Sequence, residues 1–223
     1  MSEKQEKKEP LKQKAYHIIK DKIISCEYPP NYLLNEEKLR EEIQASRTPI
    51  RDALSRLEQE KLVRILPKKG IMVASLSIRE INAIYETRML IETYVVEHYA
   101  NKVPREHLER YRDTFRRMID EVGDGERYYD IDNQLHQEFI NASENDYFAM
   151  AYERIFCQNC RLRILSGVRS ENRTRETQEE HLEIVECCLE KEWVKAREAM
   201  KTHLIKSKKA SFETMFADQD MAI

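Results

Sequence analysis

Four residues in the second half of the chain are of the types that bind divalent metals. Asp132 and His136 are four residues apart, so on a helix they share one face. His181 and His203 lie on two later segments that could meet that face inside a helical bundle. Three imidazoles and one carboxylate suit Zn²⁺, Ni²⁺, Mn²⁺ or Fe²⁺ and leave room for water or an oxyanion. An Asp and a His at this spacing also pair without a metal, so spacing alone leaves both interpretations open.

A second group of residues, in the first half of the chain, is suited to contacts with nucleic acid. Residues 46–70 hold seven basic and three acidic side chains. Near the start of a predicted helix, Arg47 and Arg51 can present forked donors to guanine edges or phosphates. Short hydroxyl donors beside a helix N-terminus, such as Ser46 and Thr48, suit phosphates. The predicted contacts to DNA are Ser46, Arg47, Thr48, Arg51, Lys68, Lys69 and Gly70.

The charge of the chain is distributed unevenly between its two halves. The net charge is −3, but residues 1–76 hold 16 basic and 12 acidic residues, a net of +4. The rest of the chain holds 22 basic and 29 acidic residues, a net of −7. This asymmetry predicts one region that binds nucleic acid and one body that avoids it, and it argues against a protein that simply coats nucleic acid.

The elements that must position the basic residues follow from periodicity and capping signals. Residues 1–10 are polar and predict a disordered arm. A first helix follows, and a second begins at Asn35, a good N-cap. A third helix has Pro49 in its first turn, with Ser46 or Thr48 as its cap. The first half therefore begins with three short helices.

A β-hairpin is predicted after the third helix. The runs 62–66 and 71–74 are rich in β-prone residues and flank a Pro/Gly turn that carries Lys68 and Lys69. Lysines on a solvated turn are common, so by themselves they say little about function. Three helices followed by a basic hairpin predict a winged helix-turn-helix domain over residues 11–76.

From Ser77 onward the helical period dominates and no strand is predicted. Breaks fall at or near Pro104, the Gly123 and Gly125 pair, and Gly167. The predicted helices are 78–101, 104–122, 126–143, 146–166, 175–190 and 193–215. The predicted fold class is therefore mostly α, with an all-α bundle over residues 77–215 and a tail over 216–223.

Bulk properties exclude several classes of protein. No apolar run approaches the roughly 20 residues that a membrane span needs. The first ten residues lack the apolar core of a signal peptide, which predicts a cytoplasmic protein with no membrane partner. Disulfides are not expected among five cysteines in that compartment. Cys157 and Cys160 form a CxxC pair that is open to two interpretations, zinc or redox chemistry and simple buried thiols.

The run SRTPIRDALSRL, residues 46–57, resembles the recognition helix of the GntR superfamily of bacterial regulators. The resemblance extends over about residues 11–75. It implies that the third helix enters the major groove of DNA and that Arg47, Thr48 and Arg51 make the main contacts.

The chain departs from that superfamily pattern at several positions. Asn31, Gln44 and Lys61 stand where relatives usually have a glycine. The fold survives such changes, since Asn tolerates positive φ and Lys can be accommodated. Glu37 stands where many relatives have an arginine that touches DNA, and this changes one phosphate or base contact.

The second half resembles the FCD group, the FadR-like ligand-binding domain of this superfamily, over about residues 78–210. The residues that carry the resemblance are 85–92, Asp132 with His136, Glu180 with His181, and 199–203. Many members bind a divalent metal through one Asp and three His. The resemblance implies that the four candidate ligands of this chain bind one such ion.

Arg88 lies in an otherwise apolar stretch, and its role has two interpretations. It can pair with Glu92, four residues further along a helix. In relatives the matching arginine lines the effector cavity, so Arg88 is expected to bind a small organic acid beside the metal. Arg161 and Arg163 could add positive charge, and the sequence does not choose between them.

Together these features predict a homodimeric, metal-containing transcriptional regulator that is not an enzyme. Two winged domains would read two half-sites of a pseudo-palindromic operator in double-stranded DNA. A small organic acid would shift the dimer between arrangements. The alternatives are a metal sensor without an organic effector, a structural metal in a domain that has lost its sensor role, and a metalloenzyme. No additional paired carboxylates or nucleophile–base set accompany the metal candidates, which disfavours the enzyme.

Overall fold

The computed structural model of the chain describes residues 10–120, 125–166 and 171–220, with the backbone alone at 125–129, 166, 171–172 and 214–220. Apart from Pro10, the predicted arm of residues 1–10 lies outside the described residues. Contacts divide the chain between Leu76 and Ser77 into two compact units. The first unit combines helices with a small sheet, and the described part of the second contains helices and no strand. The predicted mostly α fold class is confirmed.

The first unit has the predicted order of three helices and a hairpin, with one additional strand. Its elements are α1 (Leu11–Ile24), β1 (Leu33–Leu34), α2 (Glu36–Ile43), α3 (Arg47–Gln59), β2 (Val63–Leu66) and β3 (Gly70–Val73). The antiparallel sheet has the order β1-β3-β2. Leu33 of β1 pairs with Met72, and Ile65 of β2 pairs with Ile71. Strand β1 was not predicted, because two residues are too few to show a strand period.

Apolar faces of α1 and α3 form the core of this unit and thereby orient the exposed face of α3. The buried residues of these two helices include Ala15, Ile19, Ile23, Ile50, Leu54 and Leu57. Their spacings of three and four residues place them on one side of each helix. Asn35 caps α2 as predicted, because its side chain accepts hydrogen bonds from the amides of Glu37 and Lys38 at 2.9 and 3.1 Å. Ser46 is the extended N-cap residue of α3.

Three residues that replace the usual glycines of the superfamily have left-handed backbones. The φ angle is 65° at Asn31, 56° at Gln44 and 60° at Lys61. Gln44 ends α2 in the left-handed conformation, and its amide donates to the carbonyl of Arg40. In the left-handed conformation a residue with a side chain is less favourable than glycine, by roughly 1–2 kcal/mol for residues other than Asn or Asp. The turns of the domain are therefore kept despite the substitutions.

The second unit consists of helices that pack around one apolar core. Its elements are α4 (Ile78–Tyr99), a 3-10 turn (Ala100–Lys102), α5 (Arg105–Asp120), α6 (Gly125–Ala142), α7 (Asp146–Ser166), α8 (Glu171–Leu189) and α9 (Trp193–Asp220). A capping box between Ser77 and Glu80 begins α4. Helix α4 packs on α6, α7 and α9, and α8 packs on α5 and α9. Core residues include Phe115, Leu135, Phe139, Ile184, Val185 and Leu204.

Two helix ends differ from the prediction. Helix α8 begins at Glu171, four residues before the predicted start at 175, and α9 continues to Asp220, past the predicted end at 215. Residues 211–220 contain no glycine or proline, so nothing in that stretch stops a helix. Most of the predicted tail is therefore helical, and 221–223 lie outside the described residues. The predicted break at Gly123 and the one at Gly167 also lie outside them. Among the described helices, none is long and apolar enough to cross a membrane.

Candidate metal centre and DNA interface

The four candidate metal ligands converge at one buried point in the second unit. Asp132 and His136 project from α6, His181 from α8 and His203 from α9, and one ligand atom of each lies within 4.8 Å of the others. The Nε2 atom of His181 is 3.0 Å from Asp132 Oδ1 and 3.2 Å from His136 Nε2. All four side chains are buried. The i, i+4 spacing on α6 and the packing of three helices bring this set together.

The electrostatics of the cluster suit a cation. Burial, and then the neighbouring imidazoles, hold the pKa of His181 and His203 well below the usual 6.5. Both rings are therefore neutral at pH 7 and have a nitrogen lone pair available to a ligand. Three imidazoles and one carboxylate are a donor set for borderline divalent metals, and four ligands leave a position for a further oxygen donor. The residues fit a divalent ion.

One buried carboxylate outside the cluster fixes the orientation of His203. Nδ1 of His203 lies 2.9 Å from Glu180 Oε2, and Arg173 donates to both oxygens of Glu180 at 2.7 and 3.1 Å. Burial by itself would raise the pKa of Glu180, but the hydrogen bonds from His203 and Arg173 outweigh it and lower the pKa to about 2. An anionic Glu180 keeps the proton of His203 on Nδ1 and leaves Nε2 for the cluster. No role was predicted for Glu180, and its position next to His181 was the available signal in the sequence.

A second carboxylate supports His136 and holds Arg88. Nδ1 of His136 lies 2.6 Å from Glu92 Oε2, a close contact that is not aligned as a hydrogen bond. Nε of Arg88 donates to Glu92 Oε1 at 2.6 Å, and Nη1 donates to Asn159 at 3.0 Å. Burial would raise the pKa of Glu92, but Arg88 and His136 outweigh it and the pKa is lowered. The ion pair between Arg88 and Glu92 that the spacing allowed is therefore present.

The structure separates the two arginines between which the sequence did not choose. Arg163 contacts the carboxylate of Asp132 and donates to Asn133 at 3.0 Å. Arg161 is fully buried and donates to Gln158 at 2.8 Å. Two positions along a helix place these side chains on different faces. Arg163 is thus the arginine that adds positive charge to the cluster.

The CxxC pair lies outside the metal cluster. Cys157 and Cys160 are buried in α7. Burial is the main cause that raises the pKa of Cys160 to about 12, so its thiol stays protonated at neutral pH. This favours the interpretation as buried thiols.

The predicted DNA contacts of the third helix lie on its exposed N-terminal face. The side chains of Arg47 and Arg51 are 68% and 67% exposed. Ser46 and Thr48 are exposed beside them at the beginning of α3. The first turn of α3, which is fully described, contains no acidic residue that would neutralise the positive end of the helix dipole. This face can therefore accept a polyanion.

The remaining predicted contacts form the turn between β2 and β3. Lys68, Lys69 and Gly70 are exposed there. Lys68 and Gly70 have φ angles of 62° and 101°, so the turn needs left-handed backbone at both positions. The amide of Lys69 donates to the carbonyl of Leu66 at 3.0 Å and closes the turn. The structure thus presents two lysines at the tip of the hairpin.

A helix-turn-helix with a basic wing, joined to a helical domain with a buried Asp/His cluster, defines a class of transcriptional regulators. The chain matches the model of the bacterial regulatory proteins, gntR family, over residues 11–73, and the model of the FCD domain over residues 83–206. The chain belongs to the GntR family and carries an FCD domain. It is a DNA-binding transcriptional regulator of that family.

Two curated relatives illustrate the similarity. An HTH-type transcriptional regulator of Agrobacterium vitis is 42% identical over 78 residues, which cover 35% of this chain and 46% of that protein. The gluconate operon transcriptional repressor of Bacillus licheniformis is 28% identical over 140 residues, which cover 60% of this chain and 56% of that protein. The matches span about half the length of both relatives.

Two solved structures are similar in fold. McbR/YncC of E. coli has a TM-score of 0.78 at 16% identity, with 93% of this chain and 99% of that chain covered. The Zn²⁺-bound FCD domain of the regulator TM0439 has a TM-score of 0.53 at 25% identity, with 65% of this chain and 99% of that domain covered. The first similarity concerns the fold of almost the whole chain, and the second concerns the helical domain.

The buried ion pair gives the first testable prediction. Replacing Arg88 by Met leaves Glu92 buried without its main cation, so we expect the free energy of unfolding to fall by about 3–5 kcal/mol. The double variant Arg88→Met with Glu92→Leu removes both charges and should recover part of that loss. Urea unfolding followed by the fluorescence of Trp193, the one tryptophan of the chain, measures this unit. A loss below about 1 kcal/mol in the single variant would contradict the ion pair's structural role.

Proposed function

We propose that the protein is a homodimeric regulator whose operator binding is controlled by a small organic acid at a metal-containing site. The observation that carries this proposal is the convergence of Asp132, His136, His181 and His203 at one buried point. The Zn²⁺-bound state of a related FCD domain supports it. Zn²⁺, Ni²⁺, Mn²⁺ and Fe²⁺ all suit the donor set, so the proposal extends to a divalent ion of this group.

The proposed ion would act as a Lewis acid that binds the carboxylate of an effector in an open coordination position. Glu180 orients the ring of His203 through a hydrogen bond, and Glu92 places a negative charge against Nδ1 of His136. Arg163 adds positive charge on the side of Asp132. A dicarboxylate or hydroxy acid would match an open metal position next to a cationic side chain.

We propose that Arg88 acts on the effector site indirectly, through Glu92, because its side chain is already paired. Its Nε and Nη2 nitrogens donate to Glu92 and its Nη1 to Asn159, and the side chain is almost fully buried. In this arrangement Arg88 stabilises the negative charge behind His136. Arg88 could contact an acid directly only if Glu92 released it. That release would also change the contact between Glu92 and the proposed ligand His136.

The metal and the acid are tested together. Protein that has been stripped of metal with a chelator should take up one ion per chain when it is reloaded with each of the four metals. Small carboxylic acids should then raise the melting temperature of the reloaded protein by mass action. Because burial keeps His181 and His203 neutral, protons should compete with the metal for these two rings only well below pH 6.5. Elemental analysis and thermal shifts across pH measure these effects.

His181→Ala and His107→Ala form a matched pair for that experiment. His181 is a proposed ligand, whereas His107 pairs with Glu138 outside the cluster, so only the first change should abolish uptake and the acid effect. Failure of the wild type to take up any of the metals would end the metal proposal. Metal uptake without any acid effect would leave the metal itself as the signal. Equal acid effects in both variants would separate effector binding from the metal.

DNA binding is proposed to run through Arg47 and Arg51, with Ser46, Thr48 and the wing residues Lys68, Lys69 and Gly70 in supporting contacts. Arg47→Ala or Arg51→Ala should cost about 1–3 kcal/mol of specific affinity if the side chain reads a base. Anisotropy titration on duplexes selected from a randomised library measures this. Arg105→Ala, which removes an exposed arginine from the other unit, is the control. Unchanged affinity in both recognition-helix variants would disprove the assignment.

Dimerisation is proposed to use an exposed apolar face on α4 and α7, defined by Leu90, Tyr94, Tyr147 and Met150. Leu90 is 70% and Tyr147 82% exposed. Tyr94 packs against Phe148 with ring centroids 5.9 Å apart, so the parts of the face on the two helices adjoin. Exposed apolar patches and aromatic residues of this kind are typical of protein interfaces. One winged domain reads only a few base pairs, so operator recognition favours a second copy as the partner.

The dimer prediction is tested on full-length variants. Leu90→Glu buries a charge at the proposed interface and should convert the dimer to a monomer at micromolar concentration in sedimentation velocity. Val194→Glu places the same charge at an exposed apolar residue of α9 outside this face and should leave the dimer intact. A wild-type monomer would contradict the dimer, and a dimeric Leu90→Glu variant would contradict the choice of face.

A further inference from the structure

Helix α2 places two carboxylates next to the arginines that are proposed to bind DNA. Glu36 Oε2 lies 3.2 Å from Nε of Arg51, and Glu37 Oε2 lies 3.8 Å from Nη2 of Arg47. The other oxygen of Glu37 accepts a hydrogen bond from Arg40 at 2.6 Å. Acidic groups at this position oppose the approach of phosphates, which dominate the affinity of proteins for DNA. They therefore need a role other than general attraction.

The two carboxylates engage different edges of their arginines. Glu36 contacts Nε of Arg51, which leaves the edge with the two terminal nitrogens directed elsewhere. Glu37 instead faces a terminal nitrogen of Arg47. The two terminal nitrogens form one edge of the guanidinium that can make two parallel bonds with a guanine edge or with a phosphate. Glu37 consequently competes with DNA for Arg47, whereas Glu36 positions Arg51 without occupying that edge.

We propose that Glu37 is a specificity-determining residue of the DNA interface. Its carboxylate repels a phosphate at the same place but repels the neutral edge of guanine far less, so Arg47 is released preferentially to a base. A protein can gain specificity by weakening its contacts with the wrong partner, and here that partner is the backbone of any DNA sequence. The inference rests on the proposed role of Arg47 in DNA binding.

The pairing itself is too weak to serve the stability of the fold. Both side chains are more than half exposed and 3.8 Å apart, and ion pairs of this kind contribute little in water. Arg40 fixes the carboxylate on α2 through its shorter bond, so the charge of Glu37 stays near Arg47 even when Arg47 moves to DNA. The effect of Glu37 is therefore expected in the discrimination between sequences.

Glu37→Gln in the full-length protein tests this role. The probes are the duplex that the wild type selects from a randomised library and a scrambled duplex of the same composition. We expect the variant to bind the scrambled duplex about fivefold more tightly per half-site, the size of one unit-charge interaction at 4 Å in water. The slope of log K against log salt should steepen by about 0.9 per half-site, because Arg47 gains a phosphate. Affinity for the selected duplex should change less, so discrimination falls.

Two further variants make the result decisive. Asp21→Asn removes the same charge from an exposed residue of α1 and should behave as the wild type on both duplexes. In an Arg47→Ala background, Glu37→Gln should have a smaller effect and should no longer steepen the salt slope, because no arginine remains there to gain the phosphate. An unchanged salt slope and discrimination in Glu37→Gln, an equal change in Asp21→Asn, or a full effect in the Arg47→Ala background would each overturn the inference.

Arg47→Ala and Glu37→Gln together distinguish an error in the proposed DNA contact of Arg47 from an error in the role of Glu37. If Arg47→Ala binds the selected duplex as tightly as the wild type, the proposed DNA contact of Arg47 is wrong and the inference falls with it. If Arg47→Ala loses affinity while Glu37→Gln matches the wild type on both duplexes, only the inference is overturned.

Discussion

In the helical unit, one carboxylate and three imidazoles are removed from water at the point where α6, α8 and α9 meet. The surrounding structure must compensate for this desolvation. Burying polar groups is unfavourable unless partners replace water. Two ion pairs outside the cluster, Arg88 with Glu92 and Arg173 with Glu180, supply those partners to His136 and His203. The result is two buried chains of contacts, each running from an arginine through a carboxylate to an imidazole of the cluster. A divalent ion in the cluster would complete this arrangement by adding the charge that the neutral imidazoles lack.

The DNA-binding unit solves the opposite physical problem. Its core is mostly apolar, with Lys20 as a buried charged residue, and its functional charges stay in water near the N-terminal ends of α2 and α3 and on the hairpin. Exposed charges interact weakly with one another and respond to salt, which suits groups that must exchange one partner for another. The pairs of Glu36 and Glu37 with the two arginines are of this exchangeable kind. The buried pairs of the other unit resist exchange, because separating them exposes an uncompensated charge to the interior.

Much of this arrangement could be predicted from the sequence, because helix periods, the Asn35 cap and the types of the candidate metal ligands are local signals. The rest depends on packing. Strand β1 exists through its pairing with β3, which no two-residue pattern reveals. Glu180 takes its role from His203, which lies 23 residues further along the chain. Only the rotation of α7 decides that Arg163 rather than Arg161 reaches Asp132. The predicted end of α9 at residue 215 was wrong, because a boundary was placed where the sequence contains no residue that stops a helix.

Helix α4 contains residues that take part both in the support of the metal cluster and in the proposed dimer face. It begins at Ile78, a few residues after the last strand of the DNA-binding unit ends at Val73. Its buried side presents Glu92 to His136, while Leu90 on its exposed side belongs to the proposed dimer face. An acid that altered the coordination of His136 would change the contact between His136 and Glu92, and with it the attachment of α4 to the metal cluster. Because α4 is packed against α6, α7 and α9 and is held by a buried ion pair, it would respond as a rigid body. A ligand that favours one placement of α4 would thereby favour one geometry of the dimer, and only that difference in affinity between placements can control the binding of the operator.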